Sequence, residues 1–288
     1  MANLFRAFFF KLKKDLTFRV TLFIGLGLAV FMTLIYLAID LGINTLSQNG
    51  EREWIFCTGQ NLLITTLSPA QNFGLAIPIN LITFTVLEFT QGTIRNKIIA
   101  GNSKTKIYFS LFFAGLVFTF SLMITYIGLC VGVSSIIGGF DANGMIYSTS
   151  GTATISPEFL WKIIVLAVLA YIVITAAAVF FATLFRSVGP CIPIVIILLM
   201  ACYLSGMIIG LLGSLLEDNE TAKIICTIIR YINPIFMLSG FSQVDLNTGA
   251  TIAKISNEQF IVQVVNNCVY IAAFLAGGWA IFIKRDVK

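Results

Sequence analysis

One stretch of the chain concentrates the residues that could do chemistry. Positions 88–108 read Glu88-Phe-Thr-Gln-Gly92-Thr93-Ile-Arg95-Asn-Lys97-Ile-Ile-Ala-Gly101-Asn102-Ser103-Lys104-Thr-Lys106-Ile-Tyr108. A carboxylate followed across a turn by Arg95 and Lys97 is built for ion pairing, not for breaking bonds. Gly92-Thr93 can end one helix and cap the next, and Thr93 through Ala100 gives about two helical turns. Gly101 suits a left-handed C′ position, and Asn102 or Ser103 can cap the helix that follows. The spacing therefore predicts a short basic helix projecting between two longer ones. Ile94, Ile98 and Ile99 sit on it at helical spacing with no core of their own, and a partner protein would supply one. Glu88 either anchors this helix or is a boundary charge with Arg95 or Lys97 nearby.

Elsewhere reactive groups are sparse. The chain has no histidine, which removes the commonest metal ligand and the usual near-neutral proton shuttle. Its six cysteines are scattered, with no CxxC, and most lie in apolar runs where a free thiol acts as a small apolar group. A Cys57–Cys226 disulfide is open, although nothing in the spacing demands it. No nucleophile stands beside a base and no metal-ligand set is present, so an enzyme is disfavoured. No G-x(4)-G-K-[ST] occurs, so this chain cannot cradle nucleotide phosphates. Asn80, Thr83, Thr85, Ser121, Thr125, Tyr126, Asn266 and Asn267 fall inside apolar runs. They could line a path, or the hydroxyls could serve as helix-packing contacts. No acid relay lies mid-run, which argues against a proton-coupled carrier.

The elements that must position these residues are long apolar helices. Hydrophobic residues make up 58% of the chain and charged residues only 11%, and mean hydropathy is +0.96. An ionised side chain at mid-bilayer costs about 2.5–3.5 kcal/mol, and charge-free intervals recur between short charged segments. Backbone groups in lipid must be satisfied internally, and runs without period-2 alternation select helices over a barrel. The expected fold is all-α with six spans, at about 20–39, 71–90, 107–136, 160–185, 188–213 and 262–283. Pro190 and Pro193 suit the first turns of the fifth, whereas Pro78 should kink or break the second.

Thirteen of the 18 basic residues fall on the side that holds both termini, against three of the 13 acids. The positive-inside rule makes that side cytoplasmic. Net charge +5 thus reflects topology and requires no nucleic acid. Trp54, Trp161 and Trp279 fall near expected interfaces. Residues 1–19 form a basic segment in which Leu4, Phe5, Phe8, Phe9, Leu12 and Leu16 follow helical spacing. Arg6, Lys13 and Lys14 occupy another face, and Phe10 and Lys11 interrupt the stripe. Such a helix should lie in the cytoplasmic interface against membrane lipid, or else serve only as a basic stop. Within residues 217–261, the stretches 224–229 and 232–238 are too apolar for a solvated loop, and a re-entrant or interfacial pair of short helices is expected there.

The 88–108 segment resembles the E-x(3)-G-T-[IL]-R-x-K…G-x-[ST]-[RK] pattern of ABC-2 type transporter permeases. A basic amphipathic start, six spans, a membrane-dipping segment before the last span and a terminal Lys284-Arg285-Asp286 extend the likeness. It is most similar to bacterial permeases of antimicrobial-peptide immunity and drug export. The resemblance implies an interfacial helix over 1–19 and a permease domain over 20–288 in the cell membrane. It implies two permease chains, identical or homologous, with two separate ATP-binding subunits that hold ATP and Mg²⁺. Glu88, Gly92, Thr93, Arg95, Lys97 and Gly101 would couple this chain to the ATPase. Asn80, Thr83, Tyr126, Asn266 and Asn267 would line the path of an amphipathic peptide, antibiotic or lipid-like compound. A sensor or scaffold subunit without transport, or a stand-alone secondary transporter, are the alternative readings.

Overall fold

The computed structural model describes residues 2–46, 54, 56–69, 76–140, 145–148, 151–154, 157–215, 221, 228–229, 232–235, 243–244, 251–252 and 255–285. Nine helices lie among them: α1 (Ala2–Lys14), α2 (Leu16–Leu46), α3 (Gly59–Leu67), α4 (Ala76–Thr90), α5 (Thr93–Ile99), α6 (Lys104–Gly138), α7 (Pro157–Phe185), α8 (Val188–Leu215) and α9 (Asn257–Lys284). Two small antiparallel hairpins interrupt them, β1 (Met145–Ser148) with β2 (Gly151–Thr154), and β3 (Gln243–Val244) with β4 (Thr251–Ile252).

Five helices, α2, α6, α7, α8 and α9, are long and apolar enough to cross a membrane, the make-up of a multi-pass membrane protein. The expected second span is not among them. Its helix, α4, has 15 residues, about 22 Å of rise against about 30 Å of hydrocarbon. It is preceded by a further short helix, α3, which the sequence pattern did not reveal because its Gly59-Gln60-Asn61 start is polar. Pro78 is the third residue of α4, in the first turn, where a missing N–H leaves no bond unmade; residues 71–75 of the expected span lie outside the described residues.

Buried polar groups decide how the helices meet. At one end of the bundle, Asp40 of α2 is fully buried. Its carboxylate accepts from the backbone N–H of Phe56 (2.9 Å to Oδ1) and of Cys57 (2.6 Å to Oδ2). These bonds fix the turn that the Thr58 side chain then caps to start α3. Gly59 and Gln60 donate backbone bonds to the Gly139 and Phe140 carbonyls beyond α6. Cys57 is a buried free thiol; Cys226, its partner in the disulfide considered above, lies outside the described residues. Also at this end, Lys162 of α7 donates to Glu158 Oε1 (2.7 Å), the Ile255 carbonyl (2.8 Å) and Asn257 Oδ1 (2.7 Å). The last two of these acceptors tie the start of α7 to the start of α9.

From there α7 and α9 run parallel, with Trp161 on Phe260 at 5.0 Å and Phe180 on Phe274 at 5.6 Å between ring centroids. An interhelical hydroxyl pair, Thr119–Thr175 at 3.0 Å, joins α6 to α7. At the far end, Lys104 donates to the Ile283 and Arg285 carbonyls, and the Trp279 indole to Thr105. The C-terminal end of α9 thereby closes onto the start of α6.

Of the expected re-entrant segment, only short pieces fall among the described residues. Ile232–Ile235 is buried at Asn233 and Ile235 and wedged between α8 and α9. The Asn233 amide donates to the Cys202 carbonyl and to Ser205 (3.1 Å), and its carbonyl accepts from Gln263 (2.8 Å). Asn266 and Tyr270 both donate to the Ile232 carbonyl at 3.0 Å. Tyr270 lies 13 residues into α9, about 20 Å along it. Irregular backbone at that depth stands only because neighbouring side chains satisfy it.

The approach of α6 to α9 depends on Gly278, where a Cβ would collide with the Tyr108 hydroxyl and lie 3.1 Å from its Cζ. Tyr108 is fully buried and its hydroxyl makes no hydrogen bond. Gly278→Ala is expected to lower stability by about 1–3 kcal/mol through overpacking. Tyr108→Phe should be nearly neutral alone and recover part of that loss in the double variant. Thermal unfolding in one detergent checks this, and an unchanged midpoint for Gly278→Ala would show that the helices do not meet there.

Candidate functional site

At the end of the bundle where α1 lies, α4 finishes in Leu87-Glu88-Phe89-Thr90 and the chain must turn. Gly92 makes the turn at φ +66, a left-handed conformation that favours glycine, and serves as N-cap of α5 without a side-chain bond. That frees the Thr93 hydroxyl from capping α5. It donates to Glu88 Oε2 at 2.7 Å and sits 2.8 Å from the Glu88 carbonyl oxygen. Seven residues later α5 ends. The Asn102 amide donates to the Lys97 carbonyl (3.0 Å), Gly101 takes φ +83, and the Ser103 side chain caps α6. The turn chemistry expected at Gly92, Gly101, Asn102 and Ser103 is present, with Thr93 reassigned.

The Glu88 side chain has no solvent exposure. Lys97 of α5 donates to its Oε2 at 2.8 Å, and Lys11 of α1 places Nζ 2.7 Å from Oε1. The Lys11 ammonium also donates to Gln91 Oε1 at 3.2 Å. Phe8, one turn before Lys11 and fully buried, lies under the Lys97 ammonium, 3.2 Å from ring centroid to Nζ. A desolvated cation on an aromatic face gains up to about 2 kcal/mol. Burial pulls the Lys97 ammonium below the usual lysine range, and the Glu88 carboxylate pulls it back up. One carboxylate thus holds three elements, α1, α4 and α5, through two lysines and a threonine.

The sequence-derived residues divide into two groups. Glu88, Thr93 and Lys97 point inward and bind one another. Arg95 is exposed, and Gly101 lies at the exposed base of the projection. The isoleucines also divide: Ile94 is buried among Ile107, Tyr108, Phe112 and Phe282, with Ile98 packed beside them. Only Ile99 stands out, 74% exposed, so the expectation that all three lack a core within the chain is corrected. Phe8, Lys11 and Gln91 were not anticipated. Their signal was the place where Lys11 broke the apolar stripe of the first helix, since a lysine on a buried face needs a buried acid.

Beside this node, Arg186 takes φ +54 in the turn between α7 and α8, its guanidinium 5.7 Å from the Phe89 ring centroid. Burial, and then the neighbouring Arg285, hold Arg186 below the usual arginine range. Arg285 donates to the Leu184 carbonyl.

The residues expected to line a path are spread over three helices. Asn80 and Thr83 on α4 donate back to the Ala76 and Ile79 carbonyls. Thr85, Ser121 and Thr125 likewise bond one turn back in their own helices, which is the packing role of such hydroxyls. Asn80 shares a cavity of about 370 Å³ between α2 and α4 with Thr17 and Thr21. Tyr126 is buried on α6, Asn266 holds the Ile232 carbonyl, and Asn267 is fully buried with neither amide atom hydrogen-bonded. Among the described residues no group of three or more Cys, Asp or Glu could hold a metal.

A family model described as a protein of unknown function (DUF2705) matches residues 68–288. The match takes in α4 through α9 and leaves α1, α2 and α3 outside it. No curated protein and no solved structure matches this chain.

Removing one partner of a buried ion pair costs about 3–5 kcal/mol, because the other charge stays buried and unpaired. Glu88→Gln leaves Lys97 and Lys11 facing an uncharged amide and is expected to lower stability by that order. Lys97→Met should cost less when added to Glu88→Gln than when made alone. A double-mutant cycle on thermal unfolding midpoints checks this, and additive effects would mean that the two side chains do not interact.

Proposed function

We propose that this chain, which belongs to the DUF2705 family, is the membrane permease subunit of an exporter driven by a separate ATPase. The observation that carries the reading is α5, a short helix projecting between α4 and α6 on a buried ionic base. Its inward residues are committed to the chain itself, and Arg95 and Ile99 are left facing out. A helix that transmits a push must be stiffly rooted, and Glu88 with Lys11, Lys97 and Thr93 supplies such a root. A helix that receives a push must present a face, and Ile99 with Arg95 offers an apolar contact beside a cation.

In this reading the α1 end of the bundle is cytoplasmic, as its excess of Lys and Arg supports. Two ATP-binding subunits dock there and hold ATP and Mg²⁺, since this chain has no phosphate-binding loop. A second permease chain, identical or homologous, completes the transporter. The substrate class that suits such spans is an amphipathic peptide, an antibiotic or a lipid-like compound. The likeness of residues 88–108 to ABC-2 type permeases supports the same assignment.

The test is co-purification of the tagged chain, expressed with its neighbouring genes, from mild detergent. An ATP-binding subunit is expected to come down with it. Arg95→Glu combined with Ile99→Asp should release that subunit while leaving the unfolding midpoint of the free chain unchanged, because both side chains are exposed. Lys97 is a poor choice for this purpose, since its replacement breaks the root as well as the surface. Failure of any ATPase to associate with the intact chain would overturn the proposal. Association and substrate-stimulated ATP hydrolysis without vectorial flux would instead favour a sensor subunit.

A further inference from the structure

The inward face of α1 carries Phe8 and Lys11, both engaged at the Glu88 node. Its opposite face, at the same helical period, carries Arg6, Phe9, Phe10 and Lys13. These four enclose a groove of about 330 Å³. Phe9 and Phe10 are 51% and 60% exposed, and Arg6 and Lys13 are exposed as well. Lys14 sits over the Phe10 ring at 4.4 Å, and Arg19 donates to the Lys14 carbonyl. No acid occurs in α1, and no carboxylate among the described residues forms a salt bridge with Arg6 or Lys13. The groove is therefore cationic at its rim and aromatic along its floor.

The place of α1 in the chain limits what can fill it. A single residue, Asp15, separates α1 from α2, and the Asp15 carboxylate caps α2 by accepting from Thr17 N–H at 2.7 Å. Since the candidate membrane span of α2 begins at Leu16, with Arg19 as its only cation, α1 cannot stand away from the membrane boundary. At that level, two cations around two exposed phenyl rings match a molecule with an anionic head and apolar tails. A soluble anion would leave the rings in water, and a neutral lipid would leave the cations without a counter-charge.

We propose that the outer face of α1 binds an anionic phospholipid, its phosphate between Arg6 and Lys13 and its acyl chains across Phe9 and Phe10. The same thirteen-residue helix grips Glu88 and Lys97 with its other face. Lipid on the outside therefore holds α1 against the bundle and steadies the node within it. Anionic lipid becomes a structural partner of α5, whatever α5 contacts. The lipid site stands on α1 alone and does not depend on the permease reading.

Native mass spectrometry of the full chain, titrated with phosphatidylglycerol or with phosphatidylcholine of the same acyl chains, tests the proposal. Tighter retention of phosphatidylglycerol is expected, falling about 30-fold in Arg6→Gln/Lys13→Gln, at roughly 1 kcal/mol per basic residue. Charge-preserving Arg6→Lys/Lys13→Arg should retain it. Phosphatidylglycerol should raise the unfolding midpoint of the unsubstituted chain and not that of the Gln variant. Equal retention of the two lipids, or unchanged phosphatidylglycerol binding by the Gln variant, would overturn the assignment. So would displacement of the lipid by millimolar inorganic phosphate, which would make the groove a simple anion site.

Discussion

A carboxylate with no access to water governs one end of this bundle. Glu88 ends an apolar helix, in a place where an isolated charge would cost far more than the few kcal/mol by which folded proteins are stable. Only counter-charge and hydrogen bonding make it tolerable, and both come from elsewhere in the chain. Lys11 arrives from 77 positions upstream and Lys97 from the next helix, with Thr93 between. Satisfying one group therefore fixes where the first helix lies, how sharply the chain turns at Gly92 and which way α5 projects. The arrangement is stiff because loosening any of the three elements exposes or orphans a charge.

The same logic recurs at the opposite end. Asp40 is buried, and backbone N–H groups satisfy it; they belong to the turn entering α3. Lys162 is buried, and the acceptors that satisfy it include the entrance to α9. Between the two ends, dispersion and small residues do the packing, as at Gly278 beside Tyr108 and Gly277 beside Phe180. In an apolar medium helices gain little from burying apolar surface against one another. The rare polar groups therefore carry the information about which helix meets which.

Two faces of one amphipathic helix thereby acquire separate tasks. Phe8 and Lys11 turn inward to the node, while Arg6, Phe9, Phe10 and Lys13 turn outward. A projection analysis that sorts residues only into apolar and basic places Phe8 and Phe9 together and Lys11 with the other cations. The fold sorts them by what lies opposite. Phe8 meets the Lys97 ammonium and Lys11 meets Glu88, and both are buried contacts between charge and a complementary group.

What the sequence determined by itself was everything that depends on local chemistry and on the bilayer scale. The long apolar helices α2, α6, α7, α8 and α9 were legible because charge-free runs of about 20 residues admit few other structures. The turn at Gly92 and the end at Gly101 were legible because few residues adopt those conformations, and the cap at Ser103 because few side chains can accept from a helix's first N–H groups. Helix α3 was not legible, because its helicity rests on a turn pinned by Asp40, 17 residues before Cys57. Nor could spacing show that Ile94 has a core of its own, since Tyr108 and Phe282 reach it only after α6 and α9 have packed. The partner of Glu88 was half visible: Lys97 lies within one turn-and-helix of it, but Lys11 does not. Tertiary structure alone decided that choice, because a buried carboxylate is answered by whichever cation the packing brings within reach. Sequence distance says nothing about which one that is.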